Sequence, residues 1–159
     1  VTALVVQAHP AEQSYNAALL DVVVSQLPSA AVIRLGQEDA LTAETFAGVT
    51  NLVVVYPTWW GSVPAALLGP LSEILGPWVD GNEPVDTSPL RSVEKVNVVT
   101  THGSSRLINQ LQGEPGRQLW KRVVLPRCAP GATFAWKSLY KMDRLNDQER
   151  RSFLSSLTI

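Results

Sequence analysis

The stretch Tyr56-Pro57-Thr58-Trp59-Trp60-Gly61-Ser62-Val63-Pro64 follows an apolar run, Leu52-Val53-Val54-Val55, and precedes Ala65-Ala66-Leu67-Leu68. A short continuous apolar run reads as a strand buried on both faces, and the segment beyond it as a helix, so the stretch between is a strand-to-helix turn. Pro57 and Pro64 bracket the turn. Proline fixes φ, and at Pro64 the missing donor is not needed in a first helical turn. Two adjacent tryptophans are costly to leave in water, yet such a loop lies at the surface. Two readings stand at this point: a plug for the sheet edge or a subunit contact, and a platform for a flat aromatic ligand.

Working outward, Ala3-Leu4-Val5-Val6-Gln7-Ala8, Ala31-Val32-Ile33-Arg34-Leu35, Val96-Asn97-Val98-Val99-Thr100-Thr101 and Ala132-Thr133-Phe134-Ala135-Trp136 read as further strands beside Asn51 to Tyr56. Between them the pattern predicts a helix over Ala17 to Leu27 with Ser14 as N-cap and a short helix over Thr42 to Ala47. A third helix runs from Pro64 to about Leu75, kinked at Gly69-Pro70, and others cover Pro115 to Val124 and Asp147 to Leu157. Alternation of this kind builds βαβ units and a parallel sheet. The expected fold class is therefore α/β: a flavodoxin-like three-layer sandwich around a five-stranded parallel sheet of order 2-1-3-4-5. No repeat or linker divides the chain, so residues 1–159 are expected to form a single domain.

In a sheet of that order ligands bind outside the carboxyl ends of the strands, at the switch point. The loops brought there are His9 to Asn16, Pro57 to Pro64, and His102 to Ser105. Ser14 and Asn16 sit beside the free amides of a helix start, which suits a phosphate as well as ordinary capping. Thr100-Thr101 closes the fourth strand, and Gly103 allows backbone to approach a ligand. His9 and His102 each follow a strand and are candidates for cofactor contacts, an acid/base pair or metal ligands. No carboxylate cluster or cysteine pair accompanies them at ligand spacing, so no metal is expected.

Composition narrows the classes further. With 45% hydrophobic and 17% charged residues the chain is globular, and a net charge of -1 supplies no field to draw it to nucleic acid or an anionic membrane. Its single Cys128 excludes an intramolecular disulfide, no apolar run is long enough for membrane insertion, and the chain opens on a strand without a leader-like segment. A cytoplasmic location is expected. A Gly-x-Gly-x-x-Gly turn, a Walker lysine loop and a Gly-x-Ser-x-Gly elbow are all absent.

His9-Pro10 with Ser14 and Asn16, the segment Tyr56 to Ala65, and Thr100-Thr101-His102-Gly103 together resemble the flavodoxin-like NAD(P)H:quinone oxidoreductase family. Leu139-Tyr140-Lys141-Met142-Asp143 and Asp147 to Leu154 are similar to the family's C-terminal pattern, so the resemblance spans nearly the whole chain. It implies FMN rather than FAD, with the phosphate on the loop of His9, Ser14, Tyr15 and Asn16. The ring would lie against Pro57, Thr58, Trp59, Trp60 and Gly61 and against Thr100, Thr101, His102 and Gly103. It implies NAD(P)H as co-substrate, a quinone-like or other electron-poor small molecule as acceptor, and a homodimer with no nucleic acid partner.

The chain departs from the family pattern in three places. His102 takes the place of a glycine, the Tyr and His that mammalian-type members carry beyond that loop are absent from Leu107 to Pro115, and Leu68-Gly69-Pro70 replaces a Leu-Lys-Gly-Trp segment. His102 is accordingly the one catalytic candidate, placed to answer negative charge on a reduced flavin, against the simpler reading that it shapes the loop. Two alternatives stay open: a regulatory, ancillary flavin-binding subunit of a potassium efflux system, and a one-electron flavodoxin-type carrier.

Overall fold

The computed structural model describes residues 2–36 and 39–159. Strands β1 (Thr2–Ala8), β2 (Ala31–Leu35), β3 (Val49–Pro57), β4 (Lys95–Thr101) and β5 (Thr133–Leu139) form one sheet in the order β2-β1-β3-β4-β5, every neighbouring pair parallel. The fold is flavodoxin-like, as the strand pattern predicts. The register sets Val5 beside Val53, Val54 beside Val98, and Val98 beside Trp136. β-branched residues fit such a pleated surface on both sides.

Alternate residues of the central strands feed two cores. Leu4, Val6, Leu52, Val54 and Tyr56 face one core, which is closed by Leu67, Leu71, Ile74 and Leu75 of α2 (Ala65–Val79) and by Trp120 and Val124. Val5, Val53, Val55 and Val99 face the other, closed by Leu19, Leu20 and Val23 of α1 (Tyr15–Gln26) together with Phe153 and Leu154. Period-two alternation along each strand thus decides which helix pair it meets.

Several boundaries differ from the sequence reading. α2 continues past Leu75 to Val79 and carries both Pro70 and Pro77 inside it. An interior proline costs about 3 kcal/mol, and the buried leucine and isoleucine stripe on the sheet side offsets that loss. Arg127 Nη2 also donates to the Trp78 carbonyl at 3.0 Å, serving an end that would otherwise lack a partner. A short helix α3 (Arg106–Leu111), which the sequence reading did not anticipate, is capped by Ser105, whose side chain accepts from the Ile108 amide.

The helix expected from Pro115 to Val124 begins as α4 (Pro115–Leu119), widens into a π turn over Trp120–Val124 and tightens into a 3-10 turn over Leu125–Arg127. Pro126 has no N–H to continue an α-helical ladder. Trp120 lies fully buried with Nε1 donating to the Tyr56 hydroxyl at 2.8 Å. β5 runs three residues beyond Trp136, because its pairing with β4 continues to Thr101 beside Leu139. The last helix, α5 (Asp147–Ser156), starts in a reciprocal cap: Asn146 Oδ1 accepts from the Glu149 amide and Glu149 Oε2 from the Asn146 amide, each at 2.9 Å. Among the described residues no helix is long and apolar enough to cross a membrane.

Candidate functional site

The tryptophan loop closes on itself through two backbone bonds, Trp59 N–H to the Ser62 carbonyl at 3.1 Å and Ser62 N–H to the Trp59 carbonyl at 2.9 Å. The two residues at its tip, Trp60 and Gly61, have φ of 53° and 76°. Glycine adopts that region freely, whereas a bulky side chain is strained there. The Trp60 indole is wholly exposed and Trp59 is 43% exposed, with the Trp59 ring tilted against His9 at 5.9 Å between centroids.

Thr100 and Thr101 hold the three loops together. Thr58 N–H donates to the Thr101 carbonyl at 2.8 Å, and the Thr58 and Thr100 hydroxyls share a 3.0 Å hydrogen bond. From the first loop, the buried Asn16 reaches Thr101 Oγ1 through Nδ2 at 3.4 Å, and its Oδ1 is buried without a partner. Ser14 caps α1 as the sequence predicts, its Oγ accepting from the Ala17 amide at 3.1 Å.

These loops surround a cleft of about 550 Å³ lined by His9, Ser14, Tyr15, Asn16, Pro57, Thr58, Trp59, Trp60, Thr101 and Gly103, with Met142 and Asp143 added from the loop after β5. Burial raises the Tyr15 hydroxyl above its ordinary pKa, opposed by the Arg150 guanidinium. Sequence reasoning did not single out Met142 and Asp143 as site residues; the signal available was their place after the fifth strand, at the same sheet edge. A Cβ on Gly103 would lie 2.7 Å from Asp143 Oδ2. The glycine therefore makes room for that carboxylate at the cleft wall.

Gly61, Thr100 and His102 do not line this cleft. Thr100 is fully buried beneath it. Gly61 and His102 line an adjoining cavity of about 390 Å³, along with Thr58, Trp60, Gly103, Ser104, Asn109 and Gln112. His9 and His102 thus serve different cavities. His102 is buried, stacks on Tyr140 at 4.7 Å with planes 12° apart, and lies 6.3 Å from the Trp136 ring. Among the described residues neither of its ring nitrogens makes a hydrogen bond of good geometry, although the Asn109 side chain is close enough to act on the ring. Burial pushes its pKa below the ordinary histidine value, opposed by the Asn109 amide and the Glu114 carboxylate.

Cys128 is buried, and burial pushes its thiol up to about 12, with the Arg91 guanidinium acting in the other direction. Among the described residues no group of three or more His, Cys, Asp or Glu is placed to hold a metal ion.

No protein-family model matches the chain, and no curated protein matches it by sequence. Solved structures do match. A protein of Streptococcus mutans UA159 superposes with a TM-score of 0.79 at 18% identity, over 98% of this chain and 95% of that one. The NAD(P)H:quinone oxidoreductase from Methanothermobacter marburgensis gives 0.69 at 19% identity, over 97% and 90%. An FMN-dependent NADH-azoreductase from Bacillus anthracis, solved with FMN, gives 0.72 at 10% identity, over 96% and 93%. The chain has the flavodoxin-like fold, and the solved structures it resembles include NAD(P)H:quinone reductases and FMN-dependent reductases.

Proposed function

We propose that the chain binds FMN in the cleft between Ser14 and Asp143 and acts as an NAD(P)H-dependent oxidoreductase toward quinone-like or other electron-poor acceptors. The observation that carries this reading is the convergence of the α1 N-terminus, the tryptophan loop and the Thr101–Gly103 backbone on one cleft of about 550 Å³, a size typical of a small-molecule site. The donor set fits the cofactor. Helix-start amides and the Ser14 hydroxyl, whose hydrogen remains free while its oxygen caps Ala17, suit a phosphate. Trp59 offers an apolar wall, and the unpartnered Asn16 Oδ1 and the Asp143 carboxylate offer acceptors for ring or ribityl donors.

Bound FMN supplies the hydride- and electron-accepting centre. The chain's own residues bind, orient and exclude water. Ser14, Tyr15 and Asn16 would hold the anionic end, and Pro57 to Trp60 with Thr101 and Gly103 would hold the ring by rigid backbone, with Thr100 supporting them from beneath and Gly61 and His102 on the adjoining cavity. His9 supports Trp59 from the side. The burial of both His102 nitrogens supports a loop-shaping role for that residue over direct proton donation. A homodimer fits the same surface: Trp60 is wholly exposed, and α3, which shares a cavity with it, exposes Leu107, Ile108 and Leu111.

The test is direct. The purified protein is titrated with FMN while its visible spectrum is recorded, and NAD(P)H oxidation is then followed with a simple quinone. Spectral perturbation with quinone-dependent turnover is expected. Failure to bind FMN sinks the reading, and tight FMN without turnover reduces it to a flavin-binding protein.

A further inference from the structure

Behind the tryptophan loop, beside the cavity of about 390 Å³, lies a much smaller one of about 10 Å³. Around it stand His102, Asn109, Glu114, Arg117 and Trp136. Three of these carry buried nitrogens with no hydrogen-bond partner among the described residues: Nδ1 and Nε2 of His102, Nε of Arg117 and Nε1 of Trp136. Buried donors without acceptors are costly, and their gathering around one small space marks a place where an acceptor belongs. A space of that size is about what one water molecule needs.

A water accepts two hydrogen bonds and donates two. Trp136 Nε1–H and Arg117 Nε–H are donors at every ordinary pH, so together they take both lone pairs. The water's hydrogens then point to an imidazole nitrogen and to a carboxylate. Glu114 is at hand, its Oε2 held 2.9 Å from Arg117 Nη1. A cationic imidazole, which donates from both nitrogens, would set three donors against two lone pairs. We infer that this chamber holds a single ordered water, oriented by Trp136 and Arg117, and that the water keeps His102 neutral with the nitrogen facing it as a proton acceptor.

Charge alone would act the other way. The Asn109 side chain and the Glu114 carboxylate favour the cation against the burial of the ring; Glu114 is itself paired with the Arg117 guanidinium, and the Asp143 carboxylate faces the neighbouring Gly103. Tyr140 stacks on the ring from the residue after β5. The donor-rich water and the burial of the ring together outweigh the carboxylates. His102 is then a positioning residue: it stiffens the Thr101–Gly103 backbone without adding a positive charge beside the cleft. The inference stands whether or not the cleft binds a flavin.

The sequence has only two histidines, so ring resonances are assigned by comparison with a His9→Gln variant. In the unmodified protein His102 is expected to titrate below the ordinary value near 6.5. Trp136→Phe and Arg117→Lys each remove one donor, the second while keeping the charge, and both are expected to move the His102 titration upward. A high-resolution crystal structure is expected to show one water within hydrogen-bond reach of the three side chains. His102 titrating at or above the ordinary value near 6.5, a folded Arg117→Lys protein with unchanged titration, or an empty chamber overturns the inference. Arg117→Lys carries the test if Trp136→Phe fails to fold.

Discussion

Ser14 does two separable jobs, and a pair of substitutions tells them apart. Its Oγ caps α1 by accepting from the Ala17 amide at 3.1 Å, and its hydroxyl hydrogen is free for a phosphate oxygen. Ser14→Ala removes both bonds. Loss of the cap costs about 1 kcal/mol, and loss of a charge-assisted hydrogen bond costs roughly 1.5–3 kcal/mol, or about tenfold to about a hundredfold in Kd. Ser14→Asp keeps the cap, since aspartate serves as well there and favours the positive helix end. It has no donor, however, and it sets a like charge against the phosphate. Urea unfolding without ligand should therefore show Ser14→Ala destabilised by about 1 kcal/mol and Ser14→Asp nearly unchanged. Fluorescence titration should show FMN weakened in both, most in Ser14→Asp, while riboflavin, lacking the phosphate, is nearly unaffected. Equal losses for FMN and riboflavin, or an aspartate variant that binds FMN normally, would refute the assignment of the phosphate to this helix start.

Trp60→Asn replaces a strained, wholly exposed indole with a residue that tolerates a φ of 53° and gives the Asn-Gly pair favoured in such turns; monomer stability is expected to hold or rise by up to about 1 kcal/mol, while sedimentation shows weaker self-association. A large loss of stability would mean that Trp60 packs where the structure shows none. Because burial sets the folded pKa of His102 below its unfolded value, the unfolded chain binds the proton first as pH falls. The stability contributed by neutral His102 is therefore complete above about pH 6.5 and declines below it; His102→Asn should shrink the fall in urea midpoint between about pH 7.5 and about 5.5, and an identical fall in both proteins would contradict this. Cys128, with its thiol pushed up to about 12, should resist alkylation at mildly alkaline pH until denaturant is added; modification of the native protein, read by mass, would show the core to be open there.

The strand order was legible because valine runs such as Val53-Val54-Val55 have one reading when bounded by turn residues. The cleft followed from that order, since loops after β1, β3 and β4 must meet at its switch point. What escaped the sequence lies where tertiary packing overrides local signals. Pro70 and Pro77 read as breaks, yet α2 runs through both because its buried stripe holds it to the sheet. α3 is too short to carry a periodic pattern, and the π turn depends on Trp120 meeting Tyr56, a partner 64 positions away. His102 is the instructive case: its place after Thr101 suggested a cleft residue, whereas its ring is stacked on Tyr140 and faces the adjoining cavity. Side-chain direction at a strand end is set by whatever packs beyond the strand, and nothing in the local sequence reports that.

Tyr15 lines the cleft and also donates its hydroxyl hydrogen to the Arg150 carbonyl in α5 at 2.8 Å, while at the far end of α1 Gln26 Nε2 reaches the Leu157 carbonyl at 2.9 Å. The first and last helices are thus clasped at both ends. α5 has no fully buried residue of its own and leans on this clasp and on half-buried Phe153 and Leu154, which marks it as a segment that opens before the sheet does. Any ligand that orders Tyr15 tightens the clasp, so filling the cleft should slow amide hydrogen exchange along α5, where the ligand touches nothing.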